Sequence, residues 1–133
     1  MARIAISLCG EGRGHAARVC TLVERLGDGH RFLVATSAEA LEFLAARFGD
    51  RGNVRLIELS GIRFRYVGGR IDVKRTILDG LDFRFRALPR LVDGLVREID
   101  RFVPDLAICD FEPVLPRAAR RRGVPLAPRA AGR

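Results

Sequence analysis

The residues best suited to chemistry follow the first apolar run, where a glycine-rich segment over residues 10–14 leads into His15. Glycines let a backbone turn sharply and approach a ligand closely, and a helix beginning at His15 would direct free N–H groups to the same place. This pattern favours an anionic ligand such as a phosphate or diphosphate. The candidate loop residues are Gly10, Gly12, Arg13 and Gly14.

Two familiar nucleotide-binding loops do not fit this segment. A phosphate-binding loop of the ATPase type requires Gly-Lys-Ser/Thr, which is absent. A dinucleotide-binding loop requires a glycine where this sequence has His15, and an acidic residue after the second strand where it has Thr36 and Ser37. Flavin and nicotinamide cofactors are therefore not predicted. The remaining interpretation is a loop that places the His15 side chain in a crevice.

Asp110 is the predicted partner of His15. It follows another apolar run, and the carboxyl ends of parallel strands meet at one edge of a sheet. A carboxylate orients an imidazole and raises its basicity, and such a pair is suited to taking a proton from a hydroxyl group. The alternative is that His15 and Asp110 merely cap helices or lie exposed. His30 precedes a strand at the opposite edge and is interpreted as structural.

Other reactive centres have little support in the sequence. Glu112 is expected to cap the helix that follows it, through the helix dipole. A zinc site could be drawn from Cys9, Cys109, His15 and Asp110, but no two of them have the spacing of a metal-binding motif, so no metal is predicted. The Gly-x-Ser-x-Gly signature of a serine nucleophile is also absent.

Arginine dominates the charge of the chain. All of the 24 basic residues except Lys74 are arginine, and the formal net charge is +8. This bias is typical of GC-rich coding, so a solvated basic surface is favoured over binding of phosphate groups. The same interpretation applies to a cluster on the last predicted helix, for which contact with anionic lipid headgroups is the weaker alternative. Nucleic acid is not a predicted partner, because no aromatic platform accompanies the cluster. Its members are Arg117, Arg120, Arg121 and Arg122.

Composition indicates a folded protein in a reducing compartment. Hydrophobic residues make up 48% of the chain and charged residues 30%, which excludes a disordered polar chain. No apolar run approaches the roughly 20 residues that span a bilayer, and the first one is too short for a signal peptide. Three cysteines without a CxxC pair fit reduced thiols. We expect a cytoplasmic protein, with the inner face of the membrane as an alternative location.

Short apolar runs alternate with amphipathic segments along the chain. The runs predict strands at residues 3–9, 31–35, 53–59 and 105–109, an edge strand at 63–66, a loop at 67–76 and a further strand starting at 124. Helical spacing predicts helices at residues 15–26, 36–48, 85–102 and 112–123. The second helix is expected to start with a capping box of Thr36 and Glu39, and Pro89 must either start or kink the third.

This alternation predicts an α/β fold, a Rossmann-like parallel sheet flanked by helices. We expect one incomplete domain over residues 1–126, followed by an irregular tail over 127–133.

The segments RIAISLCGEGRGHAARVCTLVERL, TSAEALEFL and PDLAICDFEP resemble the N-terminal domain of GT-B glycosyltransferases. The likeness is greatest to bacterial proteins related to the peptidoglycan lipid-intermediate N-acetylglucosaminyltransferase and to UDP-glycosyltransferases. It extends to about Leu126.

The resemblance implies two facing Rossmann-like domains, of which the first binds the acceptor and the second makes most contacts to the nucleotide-sugar. Transfer in such enzymes commonly inverts the anomeric centre and needs no bound metal or other cofactor. His15 matches the position of their catalytic base, and Asp110 matches the region that supplies its acidic partner. Gly12 and Gly14 match the loop that closes over phosphate groups.

Several parts of a GT-B enzyme are not in this sequence, namely the second domain and the last strands of the first. The Ala/Pro/Arg/Gly tail is what a shifted reading frame in GC-rich DNA would produce, so we expect a truncated or split enzyme. The predicted function is the acceptor-side half of an enzyme that transfers a hexose from a nucleotide-sugar, a UDP-sugar by resemblance, to an acceptor hydroxyl, and that is inactive alone. The alternative is a non-enzymatic remnant or partner subunit that associates with itself or with a separate C-terminal half. A flavodoxin-like nucleotide-binding protein is a third, less favoured, interpretation.

Overall fold

Parallel pairing dominates the described strands. The computed structural model describes residues 1–59, 66–67, 70–71, 78, 81 and 86–127. Within these parts the strands, in chain order, are β1 (Arg3–Leu8), β2 (Arg31–Thr36), β3 (Val54–Glu58), β4 (Tyr66–Val67), β5 (Arg70–Ile71) and β6 (Leu106–Asp110). Four of them form a parallel sheet in the order β3-β2-β1-β6.

Helices cover both faces of this sheet. In the described residues they are α1 (Gly14–Leu26), α2 (Ala38–Phe48), α3 (Leu88–Phe102) and α4 (Val114–Arg121). Side chains of a strand alternate between its two faces, so β1 contributes Ile6 to the core with α1 and α2, and Ala5 to the core with α3 and α4. The predicted Rossmann-like α/β fold is confirmed. No helix in the described ranges is both long and apolar enough to cross a membrane.

The burial of the central strands β1 and β2 explains why their sequences are continuously apolar. Every residue of β1 after Arg3 and every residue of β2 after Arg31 is buried. A parallel strand covered by helices on both faces has no solvent side, so its sequence does not alternate. The side chains of Phe32 and Phe48 are fully buried, and burial of such a side chain stabilises the fold by about 2–3 kcal/mol.

The predicted capping box at the start of α2 is wrong. Thr36 is the last residue of β2, and its hydroxyl donates a 3.0 Å hydrogen bond to the carbonyl oxygen of Leu8. Ser37 is the N-cap residue, without a side-chain hydrogen bond to the helix. The Thr36 hydroxyl thus links the ends of β1 and β2, which a local sequence motif could not indicate.

The predicted loop over residues 67–76 also needs correction. Val67 and Arg70–Ile71 are in strands, and β4 pairs with β5 as an antiparallel hairpin in which Tyr66 lies opposite Ile71. Two glycines separate these strands in the sequence, a composition typical of tight hairpin turns. The predicted edge strand at 63–66 lies outside the described residues except for Tyr66.

The C-terminal half of the chain contains Pro89 and the strand predicted from residue 124. Pro89 lies in the first turn of α3 and so starts that helix rather than kinking it. The strand predicted from residue 124 is present as a single parallel bridge between Leu126 and Ala107. The predicted tail lies outside the described residues beyond Ala127.

Gly10 and Gly14 occupy very different environments in the loop between β1 and α1. A Cβ atom on Gly10 would lie 2.5 Å from the carbonyl oxygen of Ser37, whereas one on Gly14 would meet no atom within 4 Å. Gly12 has a φ of +77°, which favours glycine. Gly10 is therefore required for close packing of the loop against the start of α2, and Gly12 for the turn itself.

We predict that Gly10→Ala destabilises the protein by about 2 kcal/mol or more, since the clash is with backbone that cannot move alone. Gly14→Ala is the matched control and should change stability by at most about 1 kcal/mol, because the site is open and helical. Urea unfolding followed by circular dichroism measures both. Equal midpoints for the two variants would contradict the packing role of Gly10.

Candidate active site

His15 and Asp110 lie side by side at the carboxyl edge of the sheet. In the parallel pairing of β1 with β6, Leu8 lies opposite Asp110, and the backbone N–H of Cys9 donates to the Asp110 carbonyl oxygen at 3.0 Å. The loop after β1 returns the chain into α1, whose second residue is His15. The His15 Nδ1 and Asp110 Oδ2 atoms are 2.9 Å apart. The predicted proximity is confirmed, and the catalytic role stays a prediction.

This contact determines which nitrogen of His15 carries the proton. An ionised carboxylate can only accept a hydrogen bond, so Nδ1 must be the donor to Asp110. The neutral ring then has its lone pair on Nε2. Arg18, one turn further along α1, has its Nη2 atom 3.3 Å from His15 Nδ1 and its Nε atom 3.9 Å from Asp110 Oδ2. Because Nδ1 already holds a proton, Arg18 acts here as a positive charge beside the carboxylate.

A cleft of about 870 Å³ opens beside this pair. The side chains of His15 and Asp110 are 25% and 26% exposed, so both can be reached from solvent. The walls of the cleft combine apolar side chains with two arginines. The lining residues are His15, Arg18, Val19, Leu22, Ile108, Cys109, Asp110, Phe111, Glu112, Pro116, Arg120, Leu126 and Ala127.

Phe111 is a site residue that sequence reasoning missed. Its backbone is left-handed, with a φ of +57°, which is unusual and costly for a large side chain. This conformation holds the ring parallel to that of His15, with the ring centroids 6.2 Å apart and the planes at 12°. The side chain is otherwise 73% exposed. The sequence feature that could have indicated Phe111 as a site residue is its position directly after a predicted strand.

Glu112 has the structural role predicted for it. Its two carboxylate oxygens accept hydrogen bonds from the backbone N–H groups of Val114 and Leu115, at 2.6 and 2.9 Å. These N–H groups belong to the first turn of α4 and have no partner within the helix. Glu112 therefore anchors the first turn of α4 through both of its carboxylate oxygens.

The basic cluster of α4 is not a uniform patch. Arg121 and Arg122 pair with Asp93 and Asp100 of α3, at 2.6 and 2.8 Å. The Arg117 guanidinium donates to the Pro113 carbonyl oxygen at 2.9 Å. These contacts hold the two helices together or brace α4 itself.

The loop residues lie next to the pair without forming part of the cleft wall. Arg13 is the N-cap residue of α1, and no side chain caps this helix. Gly10 contacts Ser37 rather than an open site. A role for Gly10, Gly12, Arg13 and Gly14 in phosphate binding stays a prediction.

The remaining candidates of the sequence occupy structural positions. His30 Nδ1 accepts a 3.0 Å hydrogen bond from the Ala2 backbone N–H, at the opposite edge from His15. All three cysteines are free thiols. Burial raises the pKa of the Cys109 thiol to about 11, so at neutral pH it is almost entirely in the protonated form, which is the weaker nucleophile. Across the described parts of the chain, no three His, Cys, Asp or Glu side chains cluster closely enough to hold a metal ion.

Comparison of the sequence with models of protein families identifies the family of this domain. The model of a family described as glycosyl transferase family 1 matches residues 2–128. The chain belongs to glycosyl transferase family 1. The resemblance to a GT-B glycosyltransferase domain is thereby confirmed at the level of the family. A comparison with curated proteins finds no match.

Family membership gives the cleft a general context. Glycosyl transferase family 1 implies a nucleotide-sugar and an acceptor as substrates. In a parallel α/β sheet, ligands bind beyond the carboxyl ends of the strands, which is where His15 and Asp110 meet in this family member. The pair therefore lies at the edge of the sheet where parallel α/β folds bind their ligands.

The two histidines of the chain are predicted to be opposite tautomers. His15 donates from Nδ1 to a carboxylate, whereas His30 accepts at Nδ1 from a backbone N–H. Two-bond ¹H–¹⁵N correlation spectra above pH 8 should show the proton on Nδ1 of His15 and on Nε2 of His30. In Asp110→Ala only the His15 pattern should change. A proton on Nε2 of His15 in the unsubstituted protein would contradict the orientation by Asp110.

Cys109 is predicted to react slowly with iodoacetamide. With a pKa of about 11, against about 8.5 for an unfolded cysteine, its thiolate fraction at pH 8 falls by more than about 100-fold. Mass spectrometry of the folded protein should show alkylation at Cys109 rising steadily from pH 8 to pH 10. The urea-unfolded chain is the control. A rate that levels off below pH 9 would show that the thiol is not held protonated by burial.

Proposed function

We propose that this chain is the acceptor-side half of a hexosyltransferase and that His15 is its general base. The observation that carries the proposal is the 2.9 Å contact between His15 Nδ1 and Asp110 Oδ2 in a cleft of a family 1 domain. A base that must accept a proton from an alcohol needs a free lone pair and access to solvent. The His15 side chain is 25% exposed, and its Nε2 atom has no hydrogen bond within the described residues.

In the proposed step, Nε2 takes the proton of the acceptor hydroxyl as its oxygen forms a bond to the anomeric carbon of the donor sugar. The bond from that carbon to the diphosphate oxygen breaks, and the nucleoside diphosphate leaves with the electron pair. His15 becomes an imidazolium, which the Asp110 carboxylate stabilises through Nδ1–H. Nucleophile attack opposite the leaving group inverts the anomeric centre.

The donor is proposed to be a UDP-sugar, from the resemblance to the peptidoglycan lipid-intermediate N-acetylglucosaminyltransferase and UDP-glycosyltransferases. Most donor contacts are expected from a second GT-B domain, so this half alone is proposed to be inactive. The first turn of α1 offers N–H groups that no side chain caps, and such groups attract a phosphate. This supports an approach of the donor diphosphate to the loop over residues 10–14.

The role of His15 can be tested by substitution in the presence of the donor-binding half, on the same chain or as a separate protein. We predict that His15→Ala lowers kcat by about 10²–10⁴-fold with little change in the KM for the donor, because only proton transfer is lost. Transfer is measured with radiolabelled UDP-hexoses and a panel of alcohol acceptors.

The matched control is His30→Gln, which removes the other imidazole at the opposite edge of the sheet and should retain the full rate. A near-normal rate in His15→Ala would rule out the general base. Absence of transfer for every donor and acceptor, with both halves present, would contradict the proposed function itself.

A further inference from the structure

Arg120 is the arginine of α4 that faces the cleft. It lies in the sequence between Ala119 and Arg121, and its neighbours Arg121 and Arg122 both pair with carboxylates of α3. Arg120 lines the cleft, and its guanidinium has no hydrogen bond or ion pair within the described part of the chain.

Arg18 lines the same cleft from α1, the other helix that borders it. Its side chain is 70% exposed, and its closest carboxylate contact is 3.9 Å, to Asp110 Oδ2. That oxygen already accepts the 2.9 Å hydrogen bond from His15. Arg18 therefore retains donors for a further acceptor.

Neither carboxylate of the cleft accepts a hydrogen bond from Arg18 or Arg120. Asp110 is engaged by His15, and both oxygens of Glu112 accept backbone N–H groups of α4. The rest of the wall is largely apolar, including Leu22, Ile108 and Leu126. An apolar wall beside the unpaired guanidinium of Arg120 and the largely exposed guanidinium of Arg18 matches a ligand that has a carbon skeleton and an anionic group.

We infer that the cleft binds an acceptor that carries an anionic group, a phosphate or a carboxylate, held by Arg120 and Arg18 while its carbon skeleton lies on the apolar wall. This inference rests on the proposed function and specifies the substrate class of the same site. The anion would fix the acceptor between α1 and α4, so that its hydroxyl is presented to His15. Guanidinium groups suit this role because they form paired hydrogen bonds to planar or tetrahedral oxyanions.

Binding of small probes tests the inference without any transfer reaction. The probes are phenyl phosphate, benzoate, inorganic phosphate and uncharged benzyl alcohol, titrated into the full chain and followed by NMR signals of the His15 ring. Phenyl phosphate or benzoate should bind at least about 10-fold more tightly than benzyl alcohol, since charge-assisted hydrogen bonds are the stronger ones. The tighter of the two identifies the preferred anion.

Substitution then assigns the binding to one arginine. Arg120→Gln should weaken binding of the preferred anionic probe by about 10-fold and leave benzyl alcohol unchanged. Arg121→Gln removes the same charge one residue further along α4 and should alter neither. Equal effects of the two substitutions, or none, would overturn the inference, because the attraction would then be the general charge of the protein.

Two further outcomes separate the inference from the proposed function. If inorganic phosphate binds as tightly as phenyl phosphate, the apolar wall contributes nothing and the acceptor assignment is wrong. If glycosyl transfer is found but Arg120→Gln leaves the acceptor KM unchanged, the function stands and the anion site does not. Arg120-dependent probe binding without transfer would leave the anion site in place and remove the function.

Discussion

The parallel pairing of β1 with β6 is the constraint on which the site depends. His15 and Asp110 are 95 residues apart in sequence, and the pairing of Leu8 with Asp110 brings the ends of their strands together. Two-sided burial fixes this pairing, since a shift by one residue would exchange the core-facing side chains of β1 between the two helix layers. The hydrophobic core thus determines where the imidazole and the carboxylate meet.

Once the pair has formed, the surrounding groups have distinct effects on it. Asp110 determines the tautomer of His15 and so which nitrogen is free. Arg18 adds a positive charge beside the carboxylate, and the Phe111 ring lies nearly parallel to the imidazole with the ring centroids 6.2 Å apart. The left-handed backbone of Phe111 is unfavourable in itself. It is held between the end of β6 and the helix start that Glu112 caps, so the fold stabilises a conformation that the residue alone would avoid.

Much of the fold could be predicted from the sequence because its signals are local. Continuous apolar runs identified β1, β2 and β6, helical spacing identified the four described helices, and the proline near the start of α3 acts within one turn. The wrong prediction at the start of α2 has a non-local cause. Thr36 was assigned to a helix cap from its neighbours in sequence, whereas its hydroxyl bonds to Leu8 on another strand.

The α/β class, the glycine loop before His15 and the capping role of Glu112 each follow from residue types within a few positions of the chain. The contact of His15 with Asp110, the stacking of Phe111 and the different partners of the α4 arginines arise only when distant segments pack together. They depend on strand register and on the direction in which each side chain leaves its helix. Arg120 and Arg121 are equivalent in composition, but in the folded chain Arg121 pairs with Asp93 of α3 and Arg120 lines the cleft.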